Sequence, residues 1–341
     1  MPRARIDVRH VLCPVDFSEF SARALELAVG LARSFDADLH VLHAVPIVLD
    51  VVEPFPPVLP DLMAPSVEAA REELRRFVAP VRARYQRVQT IVREGDAPSV
   101  IQALVDELRV DLVVMGTHGR SGLARAILGS VTEHVMHHAS CAVLTVGHQA
   151  PAAPPGPPFH RILCATDLLP SSRATVEYAL ALAAESDAEL ELLHVVESVP
   201  PAGGSVNPSI VAAEIDTFRR GLIEDAEKRL GEALRPAASW CRVTTRVTTG
   251  EAWRAIVEDA RAREAELIVI GAHAGALGRA VFGSTASHVV RAAPCAVLVL
   301  RQPREARVAP SPEVAATHRD EAGDDGYRSR PIREADSRRQ P

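Results

Sequence analysis

The chain has no excess of basic residues, no long apolar run and few cysteines, and each shortage narrows what it can be. Its 341 residues carry 38 Lys and Arg against 44 Asp and Glu, a formal charge of -6. Binding to a phosphate backbone relies on a net basic face, so nucleic acid is not an expected partner. No stretch approaches the roughly 20 apolar residues that cross a bilayer. The opening MPRARIDVRH also lacks the apolar core of a secretory signal. A cytoplasmic protein without a membrane partner is the expectation. The five cysteines, Cys13, Cys141, Cys164, Cys241 and Cys295, form no CxxC pair, and an odd number makes a poor disulfide framework. Four of them lie in or beside apolar runs, where cysteine acts as a small core residue. The nucleotide-hydrolase pattern GxxxxGK[ST] is missing, as is the HExxH order of metalloproteases. His134, His137 and His138 sit close together beside Glu133, but no distant ligand accompanies them, so no metal site is assigned.

What the sequence does have is an internal repeat. VLCPVDFSEFSARALELAVGLARSFDADLHVLHAV from Val11 aligns without a gap on ILCATDLLPSSRATVEYALALAAESDAELELLHVV from Ile162, at a constant offset of 151 residues. EGDAPSVIQALVDELRVDLVVMGTH from Glu94 matches TGEAWRAIVEDARAREAELIVIGAH from Thr249, and CAVLTV at Cys141 matches CAVLVL at Cys295. Repetition on this scale means two copies of one domain. The division expected is a first domain over 1–147, a Pro-rich linker over 148–159, a second domain over 160–301 and a charged tail over 302–341. The linker prolines cannot continue a helix or a central strand. The tail lacks apolar periodicity and reads as disordered.

Within the first copy, VLCPV is a continuous β-rich run, followed by Phe20, Ala24, Leu27, Ala28 and Leu31 at helical spacing with Ser18 or Ser21 suited to cap it. Further strands are expected at LHVLHAV from Leu39, at VQTIV, at DLVVMG from Asp111 and over Cys141–Val146. Helices are expected over Val67–Arg84, Pro98–Leu108 and Ser130–Ala139. Apolar strands alternating with helices imply an α/β fold, a doubly wound parallel sheet in each copy. The expected order is 3-2-1-4-5, Rossmann-like, with ligands at the carboxyl ends of strands one and four, where the winding reverses. The final strand of each copy would be an exposed edge unless covered.

The loop after strand four carries the clearest chemistry. Gly116-Thr117-His118-Gly119-Arg120 is followed by Gly129-Ser130 at a helix start, with nine residues between Gly119 and Gly129. Glycines let backbone N–H groups approach phosphate oxygens, and a helix N-terminus favours anions. Arg120 could add charge, and Ser130 or Thr132 could meet a phosphate or its Mg²⁺ through a hydroxyl. His118 either hydrogen-bonds the turn or faces the ligand. No carboxylate partner at recognisable spacing makes it a catalytic base.

The spacing G-2x-G-9x-G-S, with PVDFSEFS, VLHAV and VMGTHGRSGLARAILGSVTEHV around it, resembles the universal stress protein family over residues 6 to 301. That resemblance implies ATP, with Mg²⁺, as ligand. It places Asp16 against the adenosine with Pro14 beside it, and the main chain of Ala44 at the adenine. Met115, Gly116, Gly119, Gly129, Ser130 and Val131 then line ribose and phosphates. It also implies that the final strands of the two copies meet across a two-fold. In the second copy Asp167, Val195, Gly271, Gly283 and Ser284 hold matching positions. Ala165 replaces Pro14, Ala274 replaces Gly119, and only eight residues separate Ala274 from Gly283. The first site is therefore expected to be the stronger.

Three readings of function stay open. One is a nucleotide-responsive stress module acting on an unidentified protein partner. Another is an interaction protein in which ATP has no part, and the third is a slow ATPase or self-phosphorylating protein. The pyrophosphatase and nucleotidyl-transferase signatures of related folds are missing, which makes an enzyme the lesser reading. Asp16 and Asp167 alone could equally cap the following helices. A homodimer is compatible with the sequence.

Overall fold

A computed structural model describes residues 5–47, 66–119, 128–147, 150, 159–197, 208–234, 241–272, 283–301 and 308–309. The linker residues 148–149 and 151–158, and nearly all of the tail, lie outside that set.

The first half runs β1 (Arg5–Ile6), β2 (His10–Pro14), α1 (Glu19–Phe35), β3 (Asp38–Val45), α2 (Val67–Arg82), β4 (Val88–Glu94), α3 (Ala97–Glu107), β5 (Leu112–Gly116), α4 (Ser130–His138) and β6 (Ala142–Val146). The second repeats it as β7 (Arg161–Ala165), α5 (Arg173–Ser186), β8 (Glu189–Val196), α6 (Pro208–Leu234), β9 (Arg242–Thr249), α7 (Ala252–Ala262), β10 (Leu267–Ala272), α8 (Ser284–Ala292) and β11 (Ala296–Arg301). Helix starts follow local chemistry: Ser18, Ser66 and Asp96 accept backbone N–H bonds at the starts of α1, α2 and α3.

All the long strands join one ten-stranded sheet, ordered β4-β3-β2-β5-β6-β11-β10-β7-β8-β9. Each half has the 3-2-1-4-5 order and is parallel throughout. The halves meet antiparallel, with Val143 opposite Val299, Leu144 opposite Leu298 and Thr145 opposite Val297. The two otherwise exposed edges thus cover one another, which satisfies their backbone groups and hides a surface prone to aggregation.

Buried side chains form two layers. Residues of α1, α2, α5 and α6 pack on one face of the sheet, and residues of α3, α4, α7 and α8 on the other. β2 and β7 are therefore followed by helices on the first face, and β5 and β10 by helices on the second. This is the winding reversal that opens a crevice at the carboxyl ends of the strands. Cys13, Cys164 and Cys295 are core residues, and burial pushes the thiols of Cys164 and Cys295 up to about 12.

Beyond the main sheet, β1 pairs antiparallel with β12 (Val308–Ala309). Ile6 N donates to Glu185 Oε1 of α5 at 2.8 Å, so the start of the first half is anchored on the second. Sequence patterning gave no sign of either short strand, because two residues carry no period.

Candidate functional site

The crevice of the first half begins where β2 ends. Val15 N donates to Leu42 O of β3 at 2.8 Å, and the Nδ1–H of His43 donates to Val15 O at 2.8 Å, so the loop is tied twice to the neighbouring strand. Phe17 follows at φ 65, a conformation that costs a bulky residue energy and persists only when surroundings enforce it. Its ring packs against His43 at 4.3 Å and against Phe77 of α2 at 5.4 Å. The second half repeats the device. Leu168 stands at φ 61, and His194 donates to Thr166 O at 2.8 Å. His43 and His194 are the clamps of these loops. The strained residue between them carried no signal in the sequence.

The strained turn aims Asp16. Its Oδ1 accepts from Ser18 N at 3.1 Å and from Ser18 Oγ at 2.6 Å, while Ser18 itself caps α1. Of the two readings of Asp16, direct helix capping therefore falls to Ser18, and Asp16 buttresses the cap. The other oxygen, Oδ2, faces Gly119: a Cβ at that glycine would lie 2.8 Å from it. Positive φ among the described glycines is confined to Gly95 and Gly250. Gly119 is thus small because a carboxylate lies against it, not because its backbone is left-handed.

Gly116, at the end of β5, has a different reason for being glycine. A Cβ there would approach Phe20 Cβ to 2.9 Å and the Phe20 carbonyl carbon to 3.1 Å, so α1 itself fills the space. Gly129 is the N-cap of α4, and no side chain caps that helix. Its N–H donates to Thr117 O at 2.8 Å, and a Cβ would sit 3.3 Å from the same oxygen. Among the described residues no side chain caps the first-turn amides of α4, and the helix partial charge favours an anion there.

The other named residues fall around this point. Pro14 closes β2, Ala44 lies near the end of β3 opposite Arg93, and Met115 is buried in the second layer. Val131 is half-buried and Ser130 exposed. Thr132 is buried, and its hydroxyl donates to Gly116 O at 2.8 Å, which commits it to locking α4 onto β5. His118 Nδ1 lies 2.9 Å from Thr117 Oγ1, and its ring packs on Phe20 at 5.3 Å. Arg120 lies outside the described residues.

In the second half, Asp167 Oδ1 accepts from Leu169 N at 2.9 Å and from Ser172 Oγ at 2.5 Å. Val195 pairs with Thr248, Gly271 pairs with Leu300, and Gly283 starts α8 with no side-chain cap, followed by exposed Ser284. Among the described residues a Cβ at Gly283 would meet nothing within 4 Å. Residues 273–282, with Ala274 and the shorter loop, lie outside the described set. On α4, the Nδ1–H of His138 donates to His134 O at 2.8 Å. Among the described residues no three His, Cys, Asp or Glu side chains converge as metal ligands, and no helix is long and apolar enough to cross a membrane.

Comparison with known proteins gives the arrangement a family. Residues 7–147 and 158–301 each match the model of the universal stress protein family. A universal stress protein of Mycolicibacterium smegmatis is 28% identical over 301 residues, covering 85% of this chain and 96% of that one. A universal stress protein of Methanocaldococcus jannaschii is 30% identical over 141 residues, covering 40% of this chain and 81% of its own. Among solved structures, a universal stress protein from Archaeoglobus fulgidus superposes with TM-score 0.60 at 20% identity, over 86% of this chain and 96% of that one. A functionally unknown protein from Pseudomonas aeruginosa superposes with TM-score 0.58 at 21% identity, over 91% and 98%. At such identities the structures speak for the fold alone. The two family matches cover most of the chain, which belongs to the universal stress protein family as a tandem of two such domains.

Proposed function

We propose that the first half binds ATP, with Mg²⁺ carried on its phosphates, and that the chain acts as a nucleotide-responsive stress module. The observation that carries this reading is the convergence, at the β2/β5 winding reversal, of the uncapped start of α4 with the Asp16–Gly119 contact. In this reading the phosphates take the first-turn amides of α4, Asp16 faces the ribose, and the main chain near Ala44 meets the base. Gly116 contributes by letting α1 close against β5. Of the two hydroxyls near the phosphates, Ser130 is exposed and suited to meet phosphate or metal, whereas Thr132 holds the helix in place.

The second half binds the same ligand more weakly, because its sequence has Ala274 where the first has Gly119 and its loop is one residue shorter. The experiment is to heat-denature purified protein and identify any released nucleotide by chromatography, alongside melting with and without Mg-ATP. Released adenine nucleotide, or a raised Tm, supports the reading, since a ligand of the folded state stabilises it by mass action. Neither signal at millimolar ATP replaces it with an interaction module.

A further inference from the structure

We propose that Arg301, contributed by the second half, is a positioning residue for the phosphate end of the first-half site, so that the second domain sets the affinity of the first. The inference rests on the nucleotide reading given above.

Arg301 closes β11, one sheet position across the seam from β6. Its Nη2 donates to Met136 O at 2.8 Å and also to His137 O, the carbonyls of the last turn of α4. A guanidinium there meets the negative end of the helix, whose positive end opens on the crevice. Arg301 is half-buried, burial lowers its pKa, and its Nε is buried with no hydrogen-bond partner among the described residues. An arginine held at such a cost has been placed for its other contacts. A second arginine of the second half, Arg291 of α8, also reaches α4, donating to Glu133 Oε1 in its first turn at 3.1 Å.

The grip is one-sided. By the alignment of CAVLTV with CAVLVL, Arg301 corresponds to Gly147, which has no side chain to return the contact, and Glu133 corresponds to Ser287. At the end of α8 the Ala292 carbonyl is met instead by Arg261 of its own half, at 3.3 Å. α4 has nine residues, a rod about 13 Å long. It is fixed at the front by Thr132 on Gly116 and by Arg291 on Glu133, in the middle by the buried Val135 and Met136, and at the back by Arg301. Releasing the back lets a short helix pivot, which moves the amides that take the phosphates and leaves the adenosine contacts on β2 and β3 in place.

The test is calorimetric titration of full-length wild type, Arg301→Met and Arg301→Lys with Mg-ATP and, separately, with adenosine. The expected result is at least a fivefold loss of ATP affinity in Arg301→Met, with adenosine affinity unchanged. Arg301→Lys, which keeps a cation within reach of the same carbonyls, should recover most of the loss. A merely structural role would move both ligands together, and that result overturns the proposal, as does equal ATP affinity in all three proteins. If Arg301→Met does not fold, Arg301→Gln, which is too short and uncharged, takes its place: a loss specific to ATP supports the assignment, and wild-type ATP affinity in that variant overturns it. Failure of wild type to bind ATP overturns the nucleotide reading itself, and this role with it.

Discussion

Gly119→Ala isolates the contact on which the two halves differ, because the second half already has alanine at the matching position, Ala274. The new methyl carbon would stand 2.8 Å from Asp16 Oδ2, closer than a carbon and an oxygen tolerate. The backbone of Gly119 is not left-handed, so the substitution carries no conformational penalty of its own. What must move is the carboxylate, and it is pinned by Ser18 N and Ser18 Oγ. Rotating it away weakens one or both of those charge-assisted bonds, worth roughly 1.5–3 kcal/mol each when intact, so urea denaturation should show a loss of about 1–2 kcal/mol. Binding should suffer more. A ligand hydroxyl loses a charge-assisted acceptor, worth roughly 1.5–3 kcal/mol, or about tenfold to a hundredfold in Kd. Calorimetry on the folded variant measures this directly. Wild-type affinity for ATP would refute the reasoning, because it would show that neither Asp16 nor the close approach at Gly119 matters to the ligand.

Two further outcomes follow from the packing. Gly116→Val should reduce stability by roughly 2 kcal/mol or more in urea melts, because its side chain meets the backbone of α1 rather than open crevice; an undisturbed melting curve would contradict this. The second half should also respond to pH. Glu191 is buried beside Asp259, with Arg263 and Arg246 as counter-charges, and burial followed by the Asp259 charge raises its pKa to about 7. A carboxyl whose folded value exceeds its ordinary one stabilises fully below about pH 4.5, and that contribution fades as pH rises toward 7. Glu191→Gln should therefore be the more stable protein at pH 8, by on the order of 2 kcal/mol, with the gap closing by pH 4.5. An equal gap at both values would show that the pair does not share a proton.

The legible part of this molecule is what repeats or has a period. Strand and helix positions followed from apolar spacing, and so did the need to cover two bare sheet edges; that these edges pair with one another, as they do at Leu144 and Leu298, came from the family resemblance. The cap of α1 was local in sequence and readable as Ser18 or Ser21, of which Ser18 makes the bond. The site was legible as a set of loops but not as a set of roles. That Gly116 is small for α1, that Thr132 binds Gly116 rather than solvent, and that Phe17 is forced to φ 65 by His43 and Phe77 all depend on contacts between distant segments. The carboxyl pair Glu191–Asp259 was invisible for the same reason. Its first-half counterparts are His40 and Leu104, so the repeat offered no hint of it.

The most direct test of the central claim is titration of nucleotide-stripped, full-length protein with Mg-ATP, followed by Asp16→Ala and Asp167→Ala. The account predicts one tight site per chain, abolished by Asp16→Ala and retained in Asp167→Ala, with any second site at least tenfold weaker. No tight site, or a tight site lost only on changing Asp167, would contradict it.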